Sequence, residues 1–326
     1  MLLLAGCGGD DYVSLQGETM GTRYHITLQN SDTVAADVLH TLVERRLDAI
    51  NRSMSTYRDD SLITAFNRAG LQQAVTVDAD FLAVFAVASQ VYQASGGAFN
   101  PGVGELVELW GFGRKLTLDN LQQVPAADAI REAMAHSQFA AIERDQQQLI
   151  KQAPVQLDFS AVAKGYAVDA LAALLQQHGI RNYMVEIGGE VATAGNSPRG
   201  GPWHIGIESP QQLRGRTLSA LKVHDSAIAT SGDYRQFFEI DNKRYSHTID
   251  PRTGWPVQHQ LASVTVIADS VALADAWATA LMVFGEQEAL ARADAAGLAV
   301  YLVYRDRHGG FVSHYNRAMQ PYMDAD

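Results

Sequence analysis

The hydrophobic pattern changes period several times along the chain, and each change marks an element. Residues 22–29 alternate between apolar and polar side chains, the period of a half-buried strand. From 34 to 54 the apolar positions Val38, Leu42, Leu47 and Ile50 recur at helical spacing. Residues 54–57, followed by Asp59, Asp60 and Ser61, read as a loop, with Ser61 placed to cap a short helix through Phe66. Residues 80–94 form a second apolar helix that stops at Gly96-Gly97, and Ala98-Phe99-Asn100-Pro101-Gly102 makes a corner after it. A more polar stretch, 114–138, holds an amphipathic helix opened by Pro125.

The second half alternates more regularly. A strand over 155–159, a helix from about 161 to 177 and a strand over 182–187 have the spacing of a βαβ unit. Gly188-Gly189 then serves either as a turn or bulge, or as a point of close backbone approach. Strands are predicted at 203–208, 218–223, 237–240 and 261–268, a long apolar helix at 271–284, a further helix, and a strand at 299–304. There is no internal repeat and no low-complexity linker. The pattern predicts an α+β fold, a mixed sheet with helices packed on it.

Composition narrows the functional classes. The 326 residues suffice for one large or two medium domains, and 47% apolar with 19% charged residues is the balance of an ordinary globular protein. A net charge of -11 argues against sequence-independent nucleic-acid binding, which needs a basic face, so any anionic ligand must be held locally. The single cysteine, in Leu4-Ala5-Gly6-Cys7, follows a leucine run and fits the pattern at which bacterial lipoprotein precursors are cleaved and lipidated. Residues 1–12 are then a signal remnant and tether, and 13–326 the folded domain. No basic residue precedes the leucines, as in a truncated or misassigned start; a fortuitous apolar start is the alternative. No other run approaches the ~18 apolar residues needed to span a bilayer.

Four stretches carry candidate chemistry. Residues 245–256 place His247 just before a stiff corner, in which Pro251 fixes its own φ and Gly254 can adopt the positive φ that closes the turn. A histidine there is either solvated or packed, or a proton-transfer group whose reference pKa of about 6.5 suits a general base at neutral pH. Asp275 is the only charge in the helix 271–284, and Thr279 lies one turn on, so both oxygens share a face. Either the helix dipole tolerates the aspartate, or it is paired or metal-bound. Oxygen-only ligation points to Mg²⁺ or a similar hard cation.

Asp158-Phe-Ser-Ala-Val-Ala-Lys-Gly165 delivers a carboxylate at a strand end, Ser160 as a helix cap and Lys164 in the first turns of the helix. A lysine there opposes the dipole and is better explained by an anion nearby, although a solvated lysine is the ordinary alternative. Finally, residues 17–23 and 55–57 offer Met20 and Tyr57 in loops, a thioether and a phenol able to pack on a planar ring or simply on the core.

In order along the chain stand Gly-Glu-Thr-Met-Gly-Thr at 17–22, Met-Ser-Thr-Tyr at 54–57, Gly-Ala-Phe-Asn-Pro at 97–101 and Leu-Trp-Gly-Phe-Gly at 109–113. Asp-Phe-Ser-Ala-Val-Ala-Lys-Gly at 158–165, Ser-Gly-Asp-Tyr at 231–234, Ser-His-Thr-Ile-Asp-Pro-Arg-Thr-Gly at 246–254 and Ala-Asp-Ala-Trp-Ala-Thr-Ala at 274–280 follow. Together they resemble the ApbE family of FAD:protein FMN transferases, over residues 17 to about 304. The resemblance implies a T-fold-related, two-lobed architecture and an enzyme that splits the pyrophosphate of FAD, places FMN on a threonine hydroxyl of a partner protein and releases AMP. It implies FAD contacts at Met20, Tyr57, Ala98, Phe99, Asn100, Asp158, Lys164 and Ile249. It implies Mg²⁺ held by Asp275, Thr279 and the backbone oxygen of Ala161, with His247 helping to deprotonate the accepting hydroxyl.

The acceptor implied is a membrane redox subunit of a sodium-pumping NADH:quinone reductase or RNF-type complex, and the implied location is the periplasmic face of the bacterial inner membrane. Two rivals stay open. Water in place of the threonine would give an FAD pyrophosphatase, and a flavin-binding lipoprotein without catalysis would need the ring pocket but neither His247 nor the metal pair.

Overall fold

The computed structural model describes residues 12–31, 33–114, 123–210, 217–233, 237–240 and 243–323. The elements in chain order are β1 (Tyr12–Thr19), β2 (Thr22–Gln29), α1 (Ala36–Met54), α2 (Leu62–Arg68), β3 (Ala74–Thr76), α3 (Ala79–Ala94), α4 (Gly104–Leu109) and α5 (Ala127–Ala135). They continue with β4 (Ile142–Asp145), β5 (Gln148–Lys151), α6 (Ala163–Gln177), β6 (Tyr183–Ile187), β7 (Glu190–Ala194), β8 (Trp203–Glu208), β9 (Thr217–Val223) and β10 (Ser226–Gly232). The last are β11 (Phe237–Ile240), β12 (Lys243–Ser246), β13 (Ile249–Asp250), β14 (Trp255–Pro256), β15 (Leu261–Ala268), α7 (Val271–Ala295), β16 (Ala299–Arg305) and β17 (Phe311–Tyr315).

An eight-stranded sheet in the order β1-β2-β6-β7-β10-β15-β16-β17 forms the centre, and every neighbouring pair in it is antiparallel. The expected βαβ unit is therefore absent. Residues 155–159 make only isolated bridges, Val155 with Ser137 and Gln156 with Val103, and Leu157 is clamped by the Asn67 side chain, which accepts its N–H at 2.7 Å and donates to its carbonyl at 2.8 Å. A segment satisfied by an amide side chain needs no strand partner, and its alternating sequence alone cannot tell the two cases apart.

The helices α1, α3, α6 and α7 bury one face of the sheet in a large core that includes Ile26, Val185, Val264, Val266, Leu171 and Leu281. The other face is covered by the β8–β9 ribbon, whose Trp203, Ile207, Leu221 and Val223 pack on Val191, Ile228, Ile267 and Val303. Strand β15 is thus buried on both sides, which is why it reads as a nearly continuous apolar run. A separate small core gathers Leu106 and Trp110, Ile130 and Ala133 of α5, Tyr245 and Ile249, and forms the second lobe. The expected break between two helices near 284 is a kink: Gly285 takes φ 75° and ψ 177° inside α7.

Candidate functional site

Helices α6 and α7 meet at their first turns because Gly165 carries no side chain: a Cβ there would stand 2.7 Å from the Val271 carbonyl carbon and 2.8 Å from the Ala272 Cα. Asp169 locks this approach by accepting the N–H groups of Val271 and Ala272 at 2.9 Å each, and Ser270 caps Leu273 at 3.2 Å. The arrangement brings in Asp275, which is 3% exposed. Its Oδ2 accepts the Gly165 N–H at 3.1 Å and lies 3.8 Å from Lys164 Nζ. One turn on, Thr279 shares a hydrogen bond with Ser231 of β10 at 3.2 Å. Asp275 and Thr279 do share a face, and the aspartate does have partners.

Lys164 has a second and tighter partner that the sequence analysis missed. Its Nζ donates to Glu190 Oε1 at 2.6 Å. Glu190 opens β7 after the Gly188-Gly189 turn, where both glycines take positive φ, 61° and 107°. Glu186 fixes that turn by accepting the Gly189 N–H at 2.7 Å. Glu190 is 2% exposed, and its other oxygen, Oε2, is buried with no hydrogen-bond partner among the described residues. The clue in the sequence was a charged residue heading Val-Ala-Thr-Ala, a short run with no other charge.

Burial disfavours the charged form of all three carboxylates around this junction. It raises the pKa of Asp275, with Lys164 and then the Gly165 N–H pulling the other way. It raises Asp158, against the Ser160 hydrogen bonds. It pushes Glu190 up to about 7, again against Lys164. Were Glu190 and Asp275 both ionised, they would carry more negative charge than the Lys164 ammonium neutralises. The anion expected near Lys164 is therefore supplied by the protein itself. The expected Ser160 cap is not made: α6 begins at Ala163 behind Val162, which contributes no side-chain cap, and the Ser160 N–H instead donates to Asp158 Oδ1 at 2.7 Å.

The flavin candidates lie along the same segment and the second lobe. The Asp158 N–H donates to the Pro101 carbonyl at 2.8 Å, tying the Ala98–Gly102 corner to the approach to α6. Within the corner, Ala98 and Phe99 are buried, and both ends of the Asn100 amide are engaged, with the Gly102 N–H at 2.8 Å and the Ser137 carbonyl at 3.0 Å. Tyr57 is 62% exposed. Enough protein surrounds its phenol, with the Asp158 and Glu108 charges adding to the effect, to hold its pKa above the usual value. Its hydroxyl reaches the Phe112 carbonyl at 3.5 Å, and the Phe112 ring meets the His247 imidazole edge-on with centroids 6.3 Å apart.

Ile249 is buried in the second-lobe core. Its corner is held from outside by Trp110, whose indole N–H donates to the Gly254 carbonyl at 2.8 Å. Gly254 takes φ 73°, as the turn required. Met20 is not in a loop between separate elements but at the tip of the β1–β2 hairpin, at φ 49°, while residues 17–19 belong to β1. That tip borders the Gly188 turn, whose N–H donates to Arg23 at 3.2 Å. The structure therefore places Lys164 beside Asp275, with Thr279 one turn on, and sets Tyr57 and His247 on either side of Phe112, with Asp158 near enough to Tyr57 to raise its pKa. Ala98, Phe99 and Ile249 point their side chains into cores. A cleft of about 610 Å³ lined by Asp169, Thr193, Asp225, Asp269 and Tyr322 contains none of these residues.

Residues 20–302 match the model of the ApbE family. The chain belongs to the ApbE family. Among curated proteins it is 39% identical, over 94% of its own length and 91% of the relative's, to the FAD:protein FMN transferase of Haemophilus influenzae. Among solved structures it superposes on the flavin transferase ApbE from Vibrio cholerae with a TM-score of 0.88, 37% identity and coverage of 96% and 99% of the two chains. The apo form of the Pseudomonas stutzeri flavinyl transferase ApbE gives a TM-score of 0.88 at 37% identity, covering 97% and 98%. The α+β, two-lobed architecture is thus the family's, with the central sheet wholly antiparallel in place of the mixed sheet expected.

Proposed function

We propose that this chain is an FAD:protein FMN transferase that moves FMN from FAD to a threonine hydroxyl of a target protein and releases AMP. The observation that carries the reading is the buried junction of α6 and α7, where Lys164 is shared between Glu190 and Asp275 at the end of a segment that begins beside Tyr57. A cationic group and an excess of buried carboxylate side by side suit a site that clamps a pyrophosphate with the help of a divalent cation.

The donor set fits such a cation. Asp275, the Thr279 hydroxyl and the Ala161 carbonyl are all hard oxygen ligands, and Lys164 and the Gly165 N–H only partly offset the burial that raises the Asp275 pKa. These residues would hold Mg²⁺, which would supply charge neutralisation to a bound pyrophosphate. Lys164 adds its ammonium, and Tyr57 and Met20 flank the isoalloxazine ring. His247 accepts the proton of the threonine hydroxyl as its oxygen attacks the FMN-side phosphorus; the bond from that phosphorus to the bridging oxygen breaks, and AMP departs with the bridging oxygen.

The test is incubation with FAD, Mg²⁺ and a candidate acceptor domain from a membrane redox subunit of the NADH:quinone reductase or RNF type. The expected outcome is an acceptor whose intact mass gains one FMN phosphoester, with AMP released. FMN and AMP with no change in acceptor mass would favour the pyrophosphatase, and intact FAD would favour a flavin-binding protein without catalysis.

The location proposed is the periplasmic face of the inner membrane, through lipid on Cys7, which lies outside the described residues. No helix among the described residues is long and apolar enough to cross a membrane. Mass analysis of the expressed precursor should find lipid on Cys7; an unmodified cytoplasmic product would overturn this.

A further inference from the structure

The reading above leaves Glu190 without a role, yet its placement is costly. A carboxylate at 2% exposure with one oxygen unpartnered forfeits hydration that a single ion pair does not return. The strand could begin with any apolar residue. What Glu190 does is visible in two distances: Lys164 Nζ stands 2.6 Å from Glu190 Oε1 but 3.8 Å from Asp275 Oδ2. Of these two carboxylates the one on β7 holds the ammonium at hydrogen-bond distance, and the one on α7 pairs with it more loosely.

We propose that Glu190 is a positioning residue: a buried counter-charge that holds Lys164 off Asp275, so that the aspartate keeps its negative charge for a divalent cation. The inference rests on the metal assignment made above. Its logic is electrostatic competition at short range, where burial makes each interaction strong. With all three ionised, Lys164, Glu190 and Asp275 carry one net negative charge among them. Without Glu190, Asp275 is the nearer buried carboxylate that remains to draw the ammonium among the described residues. The flexible four-carbon stem of a lysine allows the ammonium to close the remaining gap to Asp275. A tight Lys164–Asp275 pair would then occupy the oxygen that the cation needs. The backbone around Glu190 is built to fix it, since the Gly188-Gly189 turn is pinned by Glu186 and by Arg23.

The experiment is a titration of the protein with Mn²⁺ alone, following free ion by electron paramagnetic resonance, on four forms: unsubstituted, Glu190→Gln, Lys164→Met and the double variant. Glu190→Gln should bind Mn²⁺ about tenfold more weakly, because the Lys164 ammonium then competes with the cation for Asp275. Lys164→Met should bind at least as tightly as the unsubstituted protein. The double variant should return to the unsubstituted affinity, because no lysine remains to collapse onto Asp275. A merely structural role for Glu190 predicts no such rescue. Equal Mn²⁺ affinity in Glu190→Gln and the unsubstituted protein would overturn the inference while leaving the metal assignment in place, and so would a loss that Lys164→Met does not relieve. If the unsubstituted protein takes up no Mn²⁺, the metal assignment falls and the inference falls with it. Should Glu190→Gln fail to fold, Glu190→Asp serves instead: its shorter reach should slacken the hold on Lys164 and give an intermediate affinity, and an affinity equal to the unsubstituted protein's would overturn the inference.

Discussion

The backbone N–H of Gly165 donates to Asp275 Oδ2 across the contact of two helices, at 3.1 Å, and the absence of a side chain on Gly165 is what permits it. The close approach of α6 and α7 and the placement of the buried carboxylate are therefore one feature. A Gly165→Ala substitution must push the helices apart or bend the Val271 carbonyl away. It should destabilise the fold by roughly 1–3 kcal/mol, the usual cost of overpacking, and weaken cation binding in the same variant. Denaturant unfolding beside a Mn²⁺ titration checks both, and an unchanged unfolding midpoint would contradict the packing argument.

Asp275 and His247 belong to different parts of the site, so their loss should be separable. Asp275→Ala should abolish the dependence on Mg²⁺ and reduce FMN transfer to background, with the fold kept, because Lys164 retains Glu190 as its partner. His247→Ala should keep FAD and cation binding and lower transfer by about 10²–10⁴-fold, the range for removal of a general base. FAD binding with and without Mg²⁺, measured beside transfer to an acceptor, distinguishes the two. Full transfer by Asp275→Ala in the presence of chelator would show the helix aspartate to be structural.

Tyr57 is exposed, and Met20 sits at a hairpin tip in a conformation a non-glycine residue rarely adopts. A large aromatic left outside the core and a strained backbone at a thioether are both explained by a planar ligand between them. The Met20→Ala, Tyr57→Ala double variant should bind FAD at least tenfold more weakly at unchanged thermal stability, measured by flavin fluorescence. Equal affinity would place the ring elsewhere.

More of the geometry around the helix junction than of the strand pairing was legible in the sequence. Asp275 and Thr279 were legible because a lone charge in an apolar helix needs a partner, and the corner at 250–254 because proline and glycine restrict the backbone by themselves. Strands 203–208, 237–240 and 261–268 were found at the bounds the structure gives. The strand expected at 155–159 was not, because Asn67, ninety residues away, satisfies that backbone through its side chain. Strands β7 and β10 escaped notice for a related reason: they are short, rich in alanine, serine and threonine, and acquire their strand character only from neighbours on both sides. Glu190 was missed with β7, since its meaning depends on Lys164, a residue twenty-six positions earlier.

Glu190 also gives the junction a signature in the pH dependence of stability. Burial raises its pKa in the folded protein from the ordinary 4.5 to about 7. The folded state thus binds a proton that the unfolded chain has released between those values, and the resulting stabilisation is complete below pH 4.5 and lost as the pH rises through 7. Glutamine at this position cannot titrate. The unfolding free energy of the unsubstituted protein minus that of Glu190→Gln should therefore fall across pH 4.5 to 7 and level off above it, by an amount on the order of 3 kcal/mol at most. Asp158 is raised as well, but it is common to both proteins and drops out of the difference, whereas the Asp275 charge adds to the rise at Glu190 and stays in it. Lys164 supplies the internal control, because its charge is what lowers the Glu190 value against burial. In a Lys164→Met background the same difference should go on falling to higher pH. Cation-free denaturation at a series of pH values measures all four forms, and parallel curves for the unsubstituted protein and Glu190→Gln would mean that Glu190 is not held by burial in the way its 2% exposure implies.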